Sequence, residues 1–335
     1  MKTFKEKNIK NYLKILAFIL VFVLLLEGLS VTLFSKRAAV SYANKLADAY
    51  SFTEEPKDSI QIAGIGNSDL YSGFVPATMW ENFGYTSTLI SSPRQTPLQS
   101  YEMMTELLKN QCPDLIIIEV DMLYPSVPDK RSKIKSEQSL DSFFEFFDSN
   151  NFEDIIAGHF TIFTFHDKWK KVTDKKHKVF KKSNSHGYRY SKLVRKFKVK
   201  NYMSESSDSE KISKINTDYL DKMISLCKSK NIDVLLLELP SVNSWNFERH
   251  NAVKQLADDY NINFVDLNMC LDDMNLDVST DFRDLGNHLN YNGANKATKY
   301  LGSYIKNNYI IDDKRGDAAY NYWNESCEAF KKELI

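Results

Sequence analysis

The sequence predicts an α/β chain: a three-layer sandwich on a mostly parallel five-stranded sheet, preceded by one N-terminal transmembrane helix. Three observations predict it. An apolar run near the N-terminus is long enough to cross a bilayer. Short apolar strand patterns alternate with amphipathic helical ones. Two of those strands are apolar without alternation, as strands covered on both faces are.

The N-terminal run comes first. Lys2, Lys5, Lys7, Lys10 and Lys14 precede an apolar stretch from Ile15 to Phe34, broken only by Glu27, Gly28, Ser30 and Thr32. Twenty helical residues reach about 30 Å, the thickness of bilayer hydrocarbon. These lysines outweigh Lys36 and Arg37 on the far side, which predicts a cytoplasmic N-terminus and an exported remainder. A cleaved signal peptide competes with this reading. The run is long for one, and Gly28-Leu29-Ser30 is the nearest approach to a cleavage site, so an uncleaved single-pass anchor over residues 1–37 is preferred. A linker over 38–57 follows.

The body of the chain is globular in composition. Of 335 residues, 43% are hydrophobic and 13% aromatic, and Lys+Arg balance Asp+Glu at 44 each. Net charge therefore favours no partner. Cys112, Cys227, Cys270 and Cys327 are too few and too scattered for a disulfide framework or a metal motif.

Five apolar runs read as strands: Ser59–Ile65, Thr86–Ile90, Asp114–Val120, Ile232–Leu239 and Ile262–Leu267. Apolar spacings of three and four predict helices over Leu98–Asn110, Ile212–Lys230, Glu248–Tyr260 and Asn292–Asn307. From about Tyr124 to Glu210 the rhythm breaks, which predicts an insertion in a domain spanning 58–311. Lys168–Lys200 holds fourteen Lys or Arg and one acid, Asp174, interleaved with aromatics. Such a segment suits anionic lipid, a polyanionic wall polymer or a phosphorylated glycan, and is equally a solvated face. Residues 312–335 read as a helical tail.

Two blocks carry chemistry. Ile62-Ala-Gly-Ile-Gly-Asn-Ser-Asp-Leu70 ends a strand on a glycine turn and sets Ser68 where substrates reach open α/β sheets. Backbone N–H groups of such a turn can stabilise an oxyanion. Asp281-Phe-Arg-Asp284-Leu-Gly-Asn-His288 lies just before the last amphipathic helix. An acid shortly before a histidine can fix the imidazole's tautomer, and the helix N-terminus favours its neutral form. Asp284 is preferred as that acid, Asp281 as a loop brace, and Asn287 as a residue tolerant of left-handed backbone.

Together these blocks resemble the SGNH (GDSL-like) hydrolase family, in which the nucleophile follows the first strand and a late Asp-x-x-His precedes the final helix. The resemblance implies an SGNH/flavodoxin-like sandwich and a catalytic Ser68, His288 and Asp284. Pro76–Trp80, Ser91–Thr96, Leu239–Ser241 with Trp245, and Tyr320, Tyr322 and Trp323 are similar to a membrane-anchored subgroup. That subgroup includes the D-alanyl-transfer protein of lipoteichoic acid synthesis and exopolysaccharide O-acetyltransferases. It implies an extracytoplasmic O-acyltransferase working beside a polytopic membrane-bound O-acyltransferase, with a cell-surface polymer as acceptor. An esterase and an inactive polymer-binding module are the alternatives.

The departures are specific. Asp284 and His288 are one residue further apart than the family spacing. Ser91-Ser92-Pro93 replaces the family's second-block glycine, and Pro93 has no N–H. Oxyanion and substrate contacts are therefore expected from Asn67, Ser92, Arg94, Gln95 and Trp245. The family's Gly-x-Asn-Asp is missing, with Glu119-Val-Asp121 after the third strand instead. No cofactor or metal is expected: His159, His166, His177 and His186 lack ligand spacing.

Overall fold

The computed structural model describes residues 2–32, 49–124, 160, 162, 184–195, 197, 199 and 202–334. The chain divides into two units, with the N-terminal helix in one and the sheet in the other. Helix α1 spans Lys2–Val31, and its segment Lys10–Ser30 is long and apolar enough to cross a membrane. Most of the predicted basic insertion, including His159, His166 and His177, and most of the 38–57 linker lie outside the described residues.

The second unit is built on five strands: β1 Ile62–Gly66, β2 Ser87–Ser91, β3 Leu115–Glu119, β4 Asp233–Glu238 and β5 Asn263–Asp266. They run in the order β2-β1-β3-β4-β5, and every neighbouring pair is parallel. The α/β class and parallel five-stranded sheet are those the sequence predicts.

Side-chain alternation assigns the faces. Ile62, Leu115, Ile117, Leu235, Leu237 and Val265 pack into one core cluster. This face is covered by short helices α2 (Ser68–Gly73) and α3 (Pro76–Phe83), and by α7 (Tyr291–Asn308), which packs on both. The opposite face, with Ala63, Ile65, Ile116, Ile118 and Leu236 buried, meets α4 (Pro97–Leu107) and α5 (Lys214–Ser229). Helix α6 (Phe247–Tyr260) lies against β5.

Capping sets the ends. Thr96 and Gln99 form a reciprocal capping box at α4, and Asn290 accepts from two backbone N–H groups at the start of α7. Helix α8 (Asn321–Glu333) docks through Trp323, which stacks on Trp80 and His186 at 5.7 and 3.9 Å. His186 is a buried core residue, bonded to Ser326 Oγ at 2.8 Å and 3.0 Å from Glu55. The four cysteines are free thiols.

Strand order reverses between β1 and β3, so the crevice beyond their carboxyl ends is the topological switch point. Ser68 follows β1 there, and Glu119 closes β3 beside it.

Candidate active site

Ser68 is the first residue of α2 and is part exposed. The turn that presents it is fastened from β3. Glu119, fully buried, accepts the Asn67 N–H on one carboxyl oxygen at 2.8 Å and the Asp121 N–H on the other at 2.7 Å. This contact explains Gly66: a Cβ there would stand 2.5 Å from Glu119 Cβ and Oε2.

Asn67 has work inside the fold. Its Oδ1 accepts the Asp69 N–H at 2.9 Å, and its Nδ2 donates to Asp121 at 2.7 Å. Arg249 holds Asp121 from the other side at 3.4 Å, pairs with Glu210 at 3.0 Å, and lies over the Tyr124 ring. A chain of contacts thus runs from α6 to the serine turn.

The histidine sits on a hairpin. Strand β6 (Phe282–Arg283) pairs antiparallel with β7 (His288–Leu289), and Arg283 lies opposite His288. Asp284 Oδ2 is 3.1 Å from His288 Nδ1, which is the acid–imidazole contact expected of Asp284. Asp281 does the bracing work. It is buried and accepts from the Asp277 N–H at 2.8 Å and from Lys296 Nζ at 2.7 Å.

One expectation for this loop fails. Asn287 is right-handed, at φ −78°. Left-handed backbone falls instead on Asp284, Leu285 and Gly286, at φ 55°, 60° and 95°. The reason is local: the turn must reverse within four residues so that Asp284 can reach back to His288. The loop after β4 helps hold it, with the Val242 N–H donating to Gly286 O and Ser241 Oγ to Asn287 O, both at 2.9 Å.

His288 Nε2 is buried and faces Asp69 Oδ1 at 3.8 Å. Among the described residues no hydrogen bond joins it to Ser68 Oγ; such contacts often tighten only when substrate binds. Burial, and then the Arg283 charge, hold the His288 pKa below the ordinary imidazole value, against the opposing pull of Asp284. This favours the neutral imidazole.

Sequence reasoning missed the acidic floor. Asp69, Glu119 and Asp121 bring oxygens within 4.8 Å of one another, a spacing a cation can bridge. The donors around them describe braced carboxylates instead: both Glu119 oxygens take backbone N–H groups, and Asp121 is shared by Asn67 and Arg249. Asp69 Oδ1 is buried without a hydrogen-bond partner among the described residues. Burial pushes Glu119 up to about 8, with the Asp121 charge adding to it. Burial also raises Asp69 and Asp121, against the opposing charges of Arg283 and Arg249 respectively. The signal available in the sequence was Glu119-Val-Asp121 itself, two acids on a strand end facing the serine turn.

The remaining candidates are distributed differently. Gln95 is buried, and its Nε2 donates to Ile90 O at 3.0 Å and Ser100 Oγ at 2.9 Å. The Trp245 indole N–H is bound to Asp266 at 2.8 Å. Both side chains are thus engaged within the fold. Ser92 is buried at the end of β2, and Arg94 is exposed with a left-handed φ of 56°. Arg283 was also missed: it donates to Ser72 Oγ at 2.5 Å and lies 3.6 Å from Asp284.

No protein-family model and no curated protein matches the chain. Among solved structures it is similar to a candidate lipolytic protein of the G-D-S-L family from Desulfitobacterium hafniense DCB-2. That match has 12% identity and a TM-score of 0.37, over 72% of this chain and 98% of that one. It is also similar to a candidate acylhydrolase from Bacteroides fragilis NCTC 9343, at 15% identity and a TM-score of 0.39, over 79% of this chain and 97% of that one.

Proposed function

We propose that the chain is a serine-dependent acyl-transfer enzyme with Ser68 as nucleophile, His288 as general base and acid, and Asp284 as the orienting carboxylate. The observation that carries this reading is the 3.1 Å contact from Asp284 to His288 Nδ1, on a hairpin packed against the helix that Ser68 begins. Ser68 Oγ bonds to the acyl carbon while His288 takes its proton and returns it to the departing oxygen. An acceptor hydroxyl then attacks the acyl-serine, gives its proton to His288, and releases Ser68.

The finer reading is an extracytoplasmic O-acyltransferase that modifies a cell-surface polysaccharide or wall polymer beside a polytopic membrane-bound acyltransferase. It is supported by the sequence resemblance and by the apolar helix α1. The oxyanion site departs from the resemblance. Gln95 spends both amide N–H groups inside the fold and Asn67 one of its two, and Glu119-Val-Asp121 supplies no asparagine donor.

Turnover of p-nitrophenyl acetate by the full chain in detergent tests the chemistry. Ser68→Ala should reduce it to background while the unfolding free energy stays within about 0.5 kcal/mol of wild type, as expected where the lost hydroxyl makes no hydrogen bond among the described residues. Undiminished turnover would refute the reading. Adding a polyol or oligosaccharide then separates transfer, seen as acylated glycan, from hydrolysis.

A further inference from the structure

We infer that residues Arg189–Arg195, Phe197 and Val199, together with Leu285, form a lipid-contact edge that seats the sheet-bearing unit on an anionic bilayer surface. The segment is pinned on its inner side. The His186 carbonyl accepts the Leu89 N–H at 2.9 Å, and the Arg189 N–H donates to Tyr71 O at 2.8 Å, on the helix that Ser68 begins. The Tyr291 N–H donates to Ser191 O at 2.8 Å, and the Arg195 N–H to Phe282 O at 3.3 Å. Phe197 packs on Phe282, and its ring fills the space a Cβ on Gly286 would need. Arg189, Ser191, Arg195 and Phe197 thus mark a rim from α2 to the turn that carries Asp284.

Its outer side is unusual. Leu193, Val194 and Val199 are 62%, 46% and 43% exposed, and Leu285, next to Gly286, is 52% exposed. One exposed aliphatic is ordinary; four along one pinned rim are not a solvated loop. They alternate with cations. Lys192–Lys200 reads Lys-Leu-Val-Arg-Lys-Phe-Lys-Val-Lys, with five basic residues and no acid, and Lys192 and Arg195 are exposed.

The pattern selects the occupant. A soluble polyanion would pair with the lysines and leave the aliphatics in water. A protein interface depletes lysine at its apolar centre. An anionic bilayer surface supplies phosphates and an apolar layer at neighbouring depths, and matches aliphatic and basic residues placed side by side. If the proposed acyl chemistry also holds, the hairpin bearing Asp284 and His288 works at the lipid surface on a membrane-held substrate.

The test uses the full chain in lipid nanodiscs, with an environment-sensitive nitrobenzoxadiazole label on Leu193→Cys in a Cys112→Ser background. Phosphatidylglycerol-containing discs should raise label emission about threefold over pure phosphatidylcholine discs, with quenching by nitroxide lipid. Lys192→Glu with Arg195→Glu should abolish the rise, and a label at Val194 should reproduce it. A label on exposed Glu106 of α4 should not respond. Equal emission in both discs would overturn the inference, as would a rise that needs added wall polymer or another protein. Ser68→Ala should leave the rise intact, so failure of the catalytic reading is read separately.

Discussion

The serine turn and the histidine hairpin are held in opposite ways. The turn is part of the core: Gly66, Asn67 and Asp69 are buried, and Glu119, Asp121 and Arg249 tie it to β3 and α6. The hairpin is anchored in the core by Phe282 and Leu289, but its turn is a surface device. The Asp284 side chain is half exposed, Leu285 more so, and three successive left-handed residues shape it. Non-glycine residues held there cost about 1–2 kcal/mol each. The proposed nucleophile is thus held by contacts of the core, and the proposed base sits beside a strained, part-exposed turn. Damage to the serine turn should lower stability and activity together, and damage at the exposed Asp284 should lower activity alone.

Asp284→Asn should give the largest separation. Under the proposed role, losing the orienting acid costs on the order of four decades in turnover, while the exposed carboxylate contributes little to stability. Asp281→Asn should do the reverse, since Asp281 is buried against Lys296 and the Asp277 N–H. A matched set of kcat and thermal melts checks both, and the opposite ranking would exchange their roles.

Glu119→Gln comes next. An amide can accept only one of the two N–H groups that the carboxyl accepts, which leaves a buried donor unmet at about 1–3 kcal/mol. Melting temperature and kcat should fall together. A variant that melts lower but turns over normally would show that the brace does not position Ser68.

The smallest effect is a pH shift. On the proposed mechanism activity needs neutral His288, so it should be lost as pH falls through a pKa already below the usual imidazole range. Arg283→Gln removes a charge that lowers this pKa, and the acid limb of kcat/KM should move up. Residual activity of Asp284→Asn should show the limb moving down. Shifts of the same sign in both variants would contradict the electrostatics of the hairpin.

Much of this was legible in the sequence, for identifiable reasons. Leu115-Ile-Ile-Ile118 and Val234–Leu237 are apolar without alternation, so a parallel sheet buried on both faces was written in them. Ser68 and His288 stood out because glycine turns and helix starts leave local marks. The hairpin of β6 and β7 did not, because two-residue strands have no periodicity. The acidic floor was hidden for another reason: Glu119 and Asp121 meet Asn67 only through the pairing of β3 with β1, 52 to 54 residues apart. Arg283 looked like spacing between two acids until the antiparallel register set it across from His288.

The most direct test of the central claim is intact-mass analysis of the full chain after reaction with a fluorophosphonate. The account predicts a single stoichiometric adduct on wild type, mapped to the peptide containing Ser68, absent in Ser68→Ala and strongly slowed in His288→Ala. No adduct on folded wild type, or one that persists in Ser68→Ala, would contradict it.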